Sequence, residues 1–302
     1  MDKLSLEMFM DVARSLSFAA VARERGVDPS LVSRSIQALE VETGAALFAR
    51  TTRRMAFTEA GEAFQVHAAQ ALRSMEAATD AARESVSAPK GRVRLTASVA
   101  FGECMLVPLL VPLRRQYPEI VIDLVLRDDT VDMMAERVDL AIRLGPKLAG
   151  DLTGRRLFAT RYRVCAAPTY LSAEGNLAKP DDLGDHPVVT YDLPGYRDRW
   201  RFRTTGGEEQ AVPVTPALIT SSALAVRRAT LAGLGPALLA DWLIGDAFEN
   251  GELIDLFPDH HVTATDFETA VWLAYPSGAT LVQKTRAVAD FLIEHLALRP
   301  GI

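Results

Sequence analysis

An α/β fold in at least two parts is predicted by three features of the chain. Between Ser17 and Thr58, two short helices, a tight turn and an arginine-tipped hairpin succeed one another. A long helical segment follows, from about Glu59 to Val86. Beyond a Pro-Gly break, strands and helices alternate, the pattern of a parallel sheet with helices packed on it. Length agrees, because 302 residues exceed one small helical head several-fold.

The first helix is bounded by its caps. Ser17 suits an N-cap, and Gly26 with Val27 supplies a left-handed stop and an apolar contact. Asp28 and Pro29 open the next helix as N-cap and first-turn residue. Only about three or four residues separate the two helices, the spacing of a helix-turn-helix. The second helix, Pro29 to about Thr43, sets Val32, Ile36 and Leu39 on one side and Ser30, Ser33, Arg34 and Gln37 on another. Arginine can fork onto a guanine edge and glutamine onto an adenine edge, while serines reach phosphates or bases. A solvated face on an ordinary amphipathic helix explains the same pattern.

The hairpin favours the DNA-reading alternative. Leu47 to Arg50 and Met55 to Thr58 have short-strand character, and the connection through Thr51, Thr52, Arg53 and Arg54 carries no acidic residue. Arg50, Arg53 and Arg54 suit phosphate contact beside the groove that the helix enters. The expectation is a winged head that reads double-stranded DNA.

At this point a resemblance becomes specific. The first sixty or so residues resemble the head of the LysR-type transcriptional regulators through Ser17-Phe18, Gly26-Val27, Ser33-Arg34, Glu40-Val41-Glu42, Leu47-Phe48 and Thr58-Glu59-Ala60-Gly61. The resemblance implies DNA contact from Pro29, Ser30, Ser33, Arg34, Arg50 and Arg53. With the residues read from the helix face and the wing, the candidate contacts become these six plus Gln37, Thr51 and Arg54. One departure is Asp28, where the family often has a serine or threonine cap; it sets a negative charge near the phosphates.

Charge location supports this division. The whole chain carries a net charge of −6, yet residues 1–60 hold eight basic and eight acidic side chains, with the positives gathered at the wing. The acidic excess therefore belongs to a body that should stay off the DNA. With 49% hydrophobic and 24% charged residues, the chain can bury substantial cores. Asp2, Glu7 and Asp11 interrupt the N-terminus, and no apolar run reaches membrane-spanning length, so a cytoplasmic protein without membrane contact is expected. Cys104 and Cys165 lack the spacing of a metal knuckle or redox pair. His67, His186, His260, His261 and His295 show no metal-ligand motif. No cofactor is expected.

The long helix, about 40 Å at the usual rise, links head and body. Phe64, Ala68, Ala71, Met75, Ala78, Ala82 and Ser85 step by alternating fours and threes, predicting a small-residue seam for a second copy. The competing reading places that stripe on the core of its own domain. Ser87-Ala88-Pro89-Lys90-Gly91 then breaks the helix.

The body opens with a predicted strand at Arg92 to Ser98, a helix from about Glu103 to Gln116 and a strand at Ile120 to Leu126, a crossover that implies parallel pairing. A helix near Val131 to Glu136 and a strand at Asp139 to Arg143 continue the alternation. Further strands are expected at Tyr162 to Ala167, Pro187 to Tyr191, Ala217 to Thr220 and Val271 to Tyr275, with helices at Ala223 to Ala232 and Val282 to Leu296. Tyr117-Pro118, Asp139 to Arg143, Ala167 to Leu171, Ala232 to Gly235 and Phe291-Leu292 resemble landmarks of the same family's effector domain, which implies a two-lobed body built like a periplasmic binding protein.

The expected organisation is therefore a winged helix-turn-helix over 1–58, a linker helix and hinge over 59–91, and an effector-binding domain over 92–302. Its first lobe would take about 92–161 plus 269–302 and its second about 162–268. Ligands in such sheets bind beyond the strand carboxyl ends and between lobes. The candidate effector residues are Ser98, Val99 and Phe101 after the first strand, Asp129 after the second, Arg143 at the end of another, and Ser221 and Ser222 before a helix. Two helix N-termini facing one cleft would favour an anion, and Phe101 would add an apolar wall. A small organic acid, aromatic in one version, is the expected effector.

Competing chemistries are less well supported. Gly233-Leu234-Gly235 begins like a dinucleotide loop, but Leu238 replaces the third glycine and Pro236 stiffens the turn. No Gly-x-Ser-x-Gly elbow is present. The leading expectation is a non-enzymatic, ligand-responsive transcription factor that binds near-palindromic sites. Resemblance implies a homodimer assembling to a homotetramer, with RNA polymerase as a partner if it activates. A cytoplasmic solute-binding protein and a DNA-tethered enzyme are the alternatives.

Overall fold

A computed structural model of the protein describes residues 1–50, 55–83, 88–129, 132–148, 150–279 and 281–297. The head comprises α1 (Lys3–Ser15), α2 (Phe18–Arg25), α3 (Pro29–Thr43), strands β1 (Phe48–Arg50) and β2 (Met55–Phe57), and the start of α4 (Glu59–Arg83). The sequence reading did not include α1, although its signals are local. Asp2 caps it by accepting the Ser5 amide at 2.8 Å, and Leu16 ends it in a left-handed conformation. Its buried row includes Leu6, Phe9, Val12 and Ala13. Phe9 is fully buried, with ring centroids 5.4 Å from Phe48, 6.4 Å from Phe57 and 4.9 Å from Phe64. One aromatic residue thus ties α1, the hairpin and α4 together.

The predicted caps of α2 and α3 are present. Ser17 Oγ accepts the Ala20 amide at 3.2 Å, Gly26 adopts φ 65°, and the Val27 amide returns to the Ala22 carbonyl at 2.9 Å. Asp28 accepts the Ser30 amide at 2.8 Å. Thr58 caps α4 through the Gly61 amide at 2.9 Å. Gly61 is also a point of close approach, since a Cβ there would lie 2.0 Å from the Leu47 carbonyl oxygen.

This packing corrects part of the predicted dimer seam. Phe64, Ala68 and Ala71 pack into the head core beside Ala69 and Leu72, and Ala68 is only 3% exposed. The small side chains let α1 of the same chain approach α4 closely. Met75 and Ala78, one and two turns further on, face outward. Ala82 lies on α4, and Ser85 falls outside the described residues.

The rest of the chain runs β3 (Gly91–Ala97), α5 (Val99–Phe101), a π-helical stretch Gly102–Leu106, α6 (Val107–Gln116), β4 (Ile120–Leu126), β5 (Leu140–Gly145) and β6 (Leu152–Ala159). It continues as β7 (Tyr162–Ala166), α7 (Pro168–Glu174), β8 (Val188–Tyr191), β9 (Arg199–Thr204), β10 (Glu209–Pro213) and β11 (Pro216–Thr220). Last come α8 (Ala223–Leu231), β12 (Ala237–Ala240), α9 (Asp241–Ile244), β13 (Ile254–Asp255), β14 (His260–Thr263), β15 (Ala270–Pro276) and α10 (Gln283–Ala297). One sheet has the order β4-β3-β5-β15-β6, and the other β10-β9-β14-β7-β12-β8-β11 with β13 paired to β7. In the first sheet β3 is parallel to β4 and β5, while β15 returns antiparallel between β5 and β6.

Two predicted elements differ. The helix expected from Glu103 begins at Val99 and passes through the π-helical stretch, because Ser98 rather than a later residue caps it. The helix expected near Val131 to Glu136 is a turn over residues 133–137, and Val131 lies outside the described residues. Asp132 accepts the amides of Met134 and Ala135 at 2.9 and 3.0 Å, and Arg137 closes the turn at φ 53°. No helix among the described residues is long and apolar enough to cross a membrane.

Candidate functional site

In the head, α3 buries Val32, Ile36 and Leu39 and leaves Pro29, Ser30, Arg34 and Gln37 exposed, with Ser33 half-buried beside them. Arg34 folds back on its own helix, donating from Nε to the Ser30 carbonyl and from Nη2 to Ser30 Oγ, each at 3.3 Å. That parks the guanidinium beside the exposed face without spending it on a carboxylate. Hydrogen bonds donated by the Ser30 hydroxyl and the Ser30 amide hold the Asp28 carboxyl below the usual carboxylate range, so the cap stays charged. Arg50 pairs with Met55 in the hairpin. Thr51, Arg53 and Arg54 lie outside the described residues.

Glu40, which the sequence marked only as an acidic helix end, has a definite task. Its Oε1 accepts the amides of Leu47 at 2.8 Å and Phe48 at 3.3 Å. The carboxylate thus fixes the hairpin to the C-terminal half of α3, setting the position of these two elements relative to each other.

A second site lies between the two sheets, a cavity of about 280 Å³. Ser98 and Ala100 border it at the start of α5; Arg127, Asp128 and Asp129 follow β4; Ile142, Arg143 and Leu144 come from β5. From the other side it receives Tyr162 of β7, Tyr191 of β8, Tyr196 of the turn after β8, and Trp242 of α9. The tyrosines form a tilted cluster, with Tyr196 centroids 6.4 Å from Tyr162 and 6.1 Å from Tyr191. Burial pushes the Tyr191 and Tyr196 hydroxyls above their ordinary range, so they stay neutral donors. Trp242 is 8% exposed, and its Nε1 has no hydrogen-bond partner among the described residues.

Of the predicted effector residues, Ser98, Asp129 and Arg143 line this cavity, whereas Val99, Phe101, Ser221 and Ser222 do not. Phe101 is fully buried behind the wall, edge-on to Trp242 at 5.2 Å. Ser222 is committed to capping α8 through the Ala225 amide at 3.3 Å. The amides at the start of α5 are also occupied: Val99 donates to Asp128 Oδ1 at 3.1 Å and Phe101 to Ser98 Oγ at 3.4 Å. The protein's own side chains thus fill positions that the sequence reading gave to an anionic ligand.

Cavity charges are mixed. Arg127 donates from Nε to Asp129 Oδ1 at 2.8 Å, and this pairing holds the Asp129 carboxyl below its usual range. Burial pushes the Arg143 guanidinium down. Sequence reasoning missed Arg127, Tyr162, Tyr191, Tyr196 and Trp242, while Asp128 lines the cavity beside Asp129. Tyr191 at the end of a strand parallel to β11 follows the strand-end rule and was findable; Trp242 depends on a four-residue helix with no distinct pattern.

Residues 87–297 match the LysR substrate binding domain, and residues 4–62 match the bacterial regulatory helix-turn-helix protein, lysR family. The chain belongs to the LysR family of transcriptional regulators. It is a DNA-binding regulator with an effector-binding domain of the LysR type. It is 33% identical over 297 residues to the transcriptional regulator DmlR of Escherichia coli K12, covering 97% of this chain and 94% of the relative. Among solved LysR-type regulators, CrgA from Neisseria meningitidis is similar at 28% identity and a TM-score of 0.62, over 98% of this chain and 99% of that one. The full-length Vibrio cholerae virulence activator AphB shares the fold at a TM-score of 0.61 and 24% identity, over 98% and 100% of the chains.

Proposed function

We propose that this LysR-type regulator reads a near-palindromic duplex site as a dimer, and that its effector domains pair dimers into tetramers. The supporting observation is the exposed Ser30, Arg34 and Gln37 face of α3, set opposite the buried Val32, Ile36 and Leu39. In a twofold pair of heads, two such helices enter successive major grooves about 34–36 Å apart. Ser30, Ser33, Arg34 and Gln37 read bases, while Pro29 and the wing residues Arg50, Thr51, Arg53 and Arg54 meet the backbone. The outward stretch of α4 around Met75 and Ala78 is the dimer contact. The protein works in the cytoplasm, with RNA polymerase as a further partner where it activates.

The functional units are taken as 1–58, 59–91 and 92–302, the last in two lobes of about 92–161 with 269–302 and about 162–268. The cavity between them takes a small organic acid and does not convert it. Its carboxylate lies against Arg143, its apolar part against Tyr191 and Trp242, and Ser98 and Asp129 contribute hydrogen bonds. Occupancy changes the arrangement of the heads only if the ligand binds one arrangement more tightly than the other.

Selection of bound sequences from a random duplex pool by the full chain tests the DNA reading. The expected product is an inverted repeat with half-sites one helical turn apart; single half-sites or no enrichment would overturn it. Sedimentation of Ala78→Glu should show loss of the dimer. A thermal-shift screen of metabolites, repeated on Arg143→Gln, tests the effector, because native-state ligands raise apparent stability. Hits confined to neutral or cationic molecules would rule out the organic acid, and recovery of a chemically altered ligand would favour an enzyme.

A further inference from the structure

The turn at residues 132–138 lies between a lining residue of the cavity and the head of the same chain. On one side is Arg127, a lining residue of the effector cavity, whose guanidinium forks onto Asp129 and extends Nη1 to Glu136 Oε1 at 2.9 Å. Glu136 belongs to the turn and is only 28% exposed. The next residue, Arg137, reaches the DNA-reading head and donates from Nη2 to the Glu7 carbonyl of α1 at 3.3 Å. Met134 of the same turn packs against the head core.

Backbone geometry sets Arg137 apart. It is one of two non-glycine residues with positive φ among the described residues; the other, Leu16, is a helix cap. A glycine would hold this conformation without steric cost, so the arginine's distinct contribution is its side chain. That side chain borders a cleft of about 360 Å³, lined by Glu7, Asp11 and Arg14 of the head and by Arg92 and Arg94 of the effector domain. Burial pushes the guanidinium down, and the Asp11 and Glu7 carboxylates oppose the effect. A charge held out of water in this way depends on where its counter-charges stand.

We propose that this turn is a relay coupling occupancy of the effector cavity to the seating of the DNA-reading head in the same chain. The proposal rests on the cavity being the effector site. A ligand group that engages Arg127 or displaces Asp129 draws the guanidinium away from Glu136. The turn moves as a unit, because Asp132 caps it and the Val138 amide closes onto the Met133 carbonyl at 2.8 Å. Displacing Glu136 therefore re-seats Arg137 and Met134 against α1. The contact is rimmed by charged side chains from both regions, which suits an element with two arrangements.

The relay can be tested on the full chain without any ligand, by hydrogen exchange. The amides around Asp11 report on the Glu7 carbonyl that Arg137 shares, and those of β3 and β4 report on the effector domain core. Arg137→Gly removes the guanidinium while accommodating the backbone, and should speed exchange around Asp11 about two- to fivefold, as for loss of one partly exposed polar contact. Arg127→Ala, at the cavity end, should produce a change in the same amides with β3 and β4 unaffected. Arg127→Lys should behave like Arg127→Ala, since lysine has no second arm for Glu136. The double variant Arg127→Ala with Arg137→Gly should exchange no faster than Arg137→Gly alone. Parental exchange around Asp11 in either single variant, or additive effects in the double variant, would overturn the relay. None of these outcomes depends on whether the cavity takes an organic acid, which the ligand screen decides separately.

Discussion

The proposed DNA-reading face and the proposed effector cavity are built by opposite strategies. The face is carried on one helix, α3, whose start is set by Asp28 and Pro29 and whose buried and exposed sides follow from residue spacing alone. The cavity collects side chains from β5, β7, β8, α5 and α9, and from the segment after β4, brought together from residues 98 to 243. A local site tolerates change elsewhere provided its helix stays seated. A dispersed site depends on two sheets keeping their relative position. The head and the cavity of one chain should therefore lose stability separately, joined through the turn at residues 132–138, and the following experiments probe how separate they are.

The largest effect is expected at Phe9. Truncation to alanine removes the ring shared by α1, the hairpin and α4, and should cost about 3–5 kcal/mol. In calorimetric unfolding, the head transition should fall while that of the effector domain stays in place. A joint fall of both would mean the two regions are one cooperative unit.

At the DNA face, Arg34→Ala should lose about 1–3 kcal/mol of discrimination at one base position while leaving the fold intact. Binding has to be followed across salt concentrations, because phosphate contacts carry a salt-dependent share. Equal binding of operator and scrambled duplex by parent and variant would remove Arg34 from the reading face. In the effector domain, Ser222→Ala should cost about 1 kcal/mol of stability through loss of the α8 cap, with unchanged affinity for the selected DNA site. Denaturant midpoints and binding titrations on one preparation check both halves. Ser98 is a less clean reporter of ligand contact, since its hydroxyl both borders the cavity and accepts the Phe101 amide.

The smallest effect concerns pH. Burial raises the Asp241 carboxyl to about 6, with Arg163 pulling against it. Arg163 cannot fully compensate because it divides between Asp241 at 3.0 Å and Asp255 at 2.6 Å. Burial alone would lower that guanidinium, but the two carboxylates outweigh it and leave it raised. With the folded carboxyl raised, the folded chain binds more protons here than the unfolded chain between about pH 4 and 6. Stability from this group is therefore present at low pH and declines as pH rises through about 6. Asp241→Asn should flatten that part of the stability profile in denaturant titrations, and an unchanged slope would show that Asp241 does not carry it.

Reading the sequence in order recovered what is encoded over a few neighbouring residues. Ser17, Gly26, Asp28 and Pro29 specify helix ends because a cap needs only its own turn, and α3 consequently runs Pro29–Thr43 as expected. The strands at Ile120–Leu126 and Ala270–Pro276 were legible from their apolar content, and β9, Arg199–Thr204, carries an alternation that was available and overlooked. β12 was not legible in the same way, because Ala237–Ala240 is buried on both faces and has no alternation to mark it. The small-residue stripe on α4 was visible, but its spacing is the same whether α1 or a second copy fills it. Tertiary packing decided that Ala68 lies in the head core of its own chain.

By itself, then, the sequence determined α2 and α3, the two-sided pattern of α3, the long helix α4 and the family's two-part plan, because these rest on caps, periodicity and motif order. Tertiary structure alone decided which residues meet across the cavity. Asp128 reaches the Val99 amide across 29 positions of chain, and Arg137 reaches Glu7 across 130. Contacts at such separation leave no periodic trace in the chain. They are set by strand order and by how the two sheets and the head pack, which no local preference specifies.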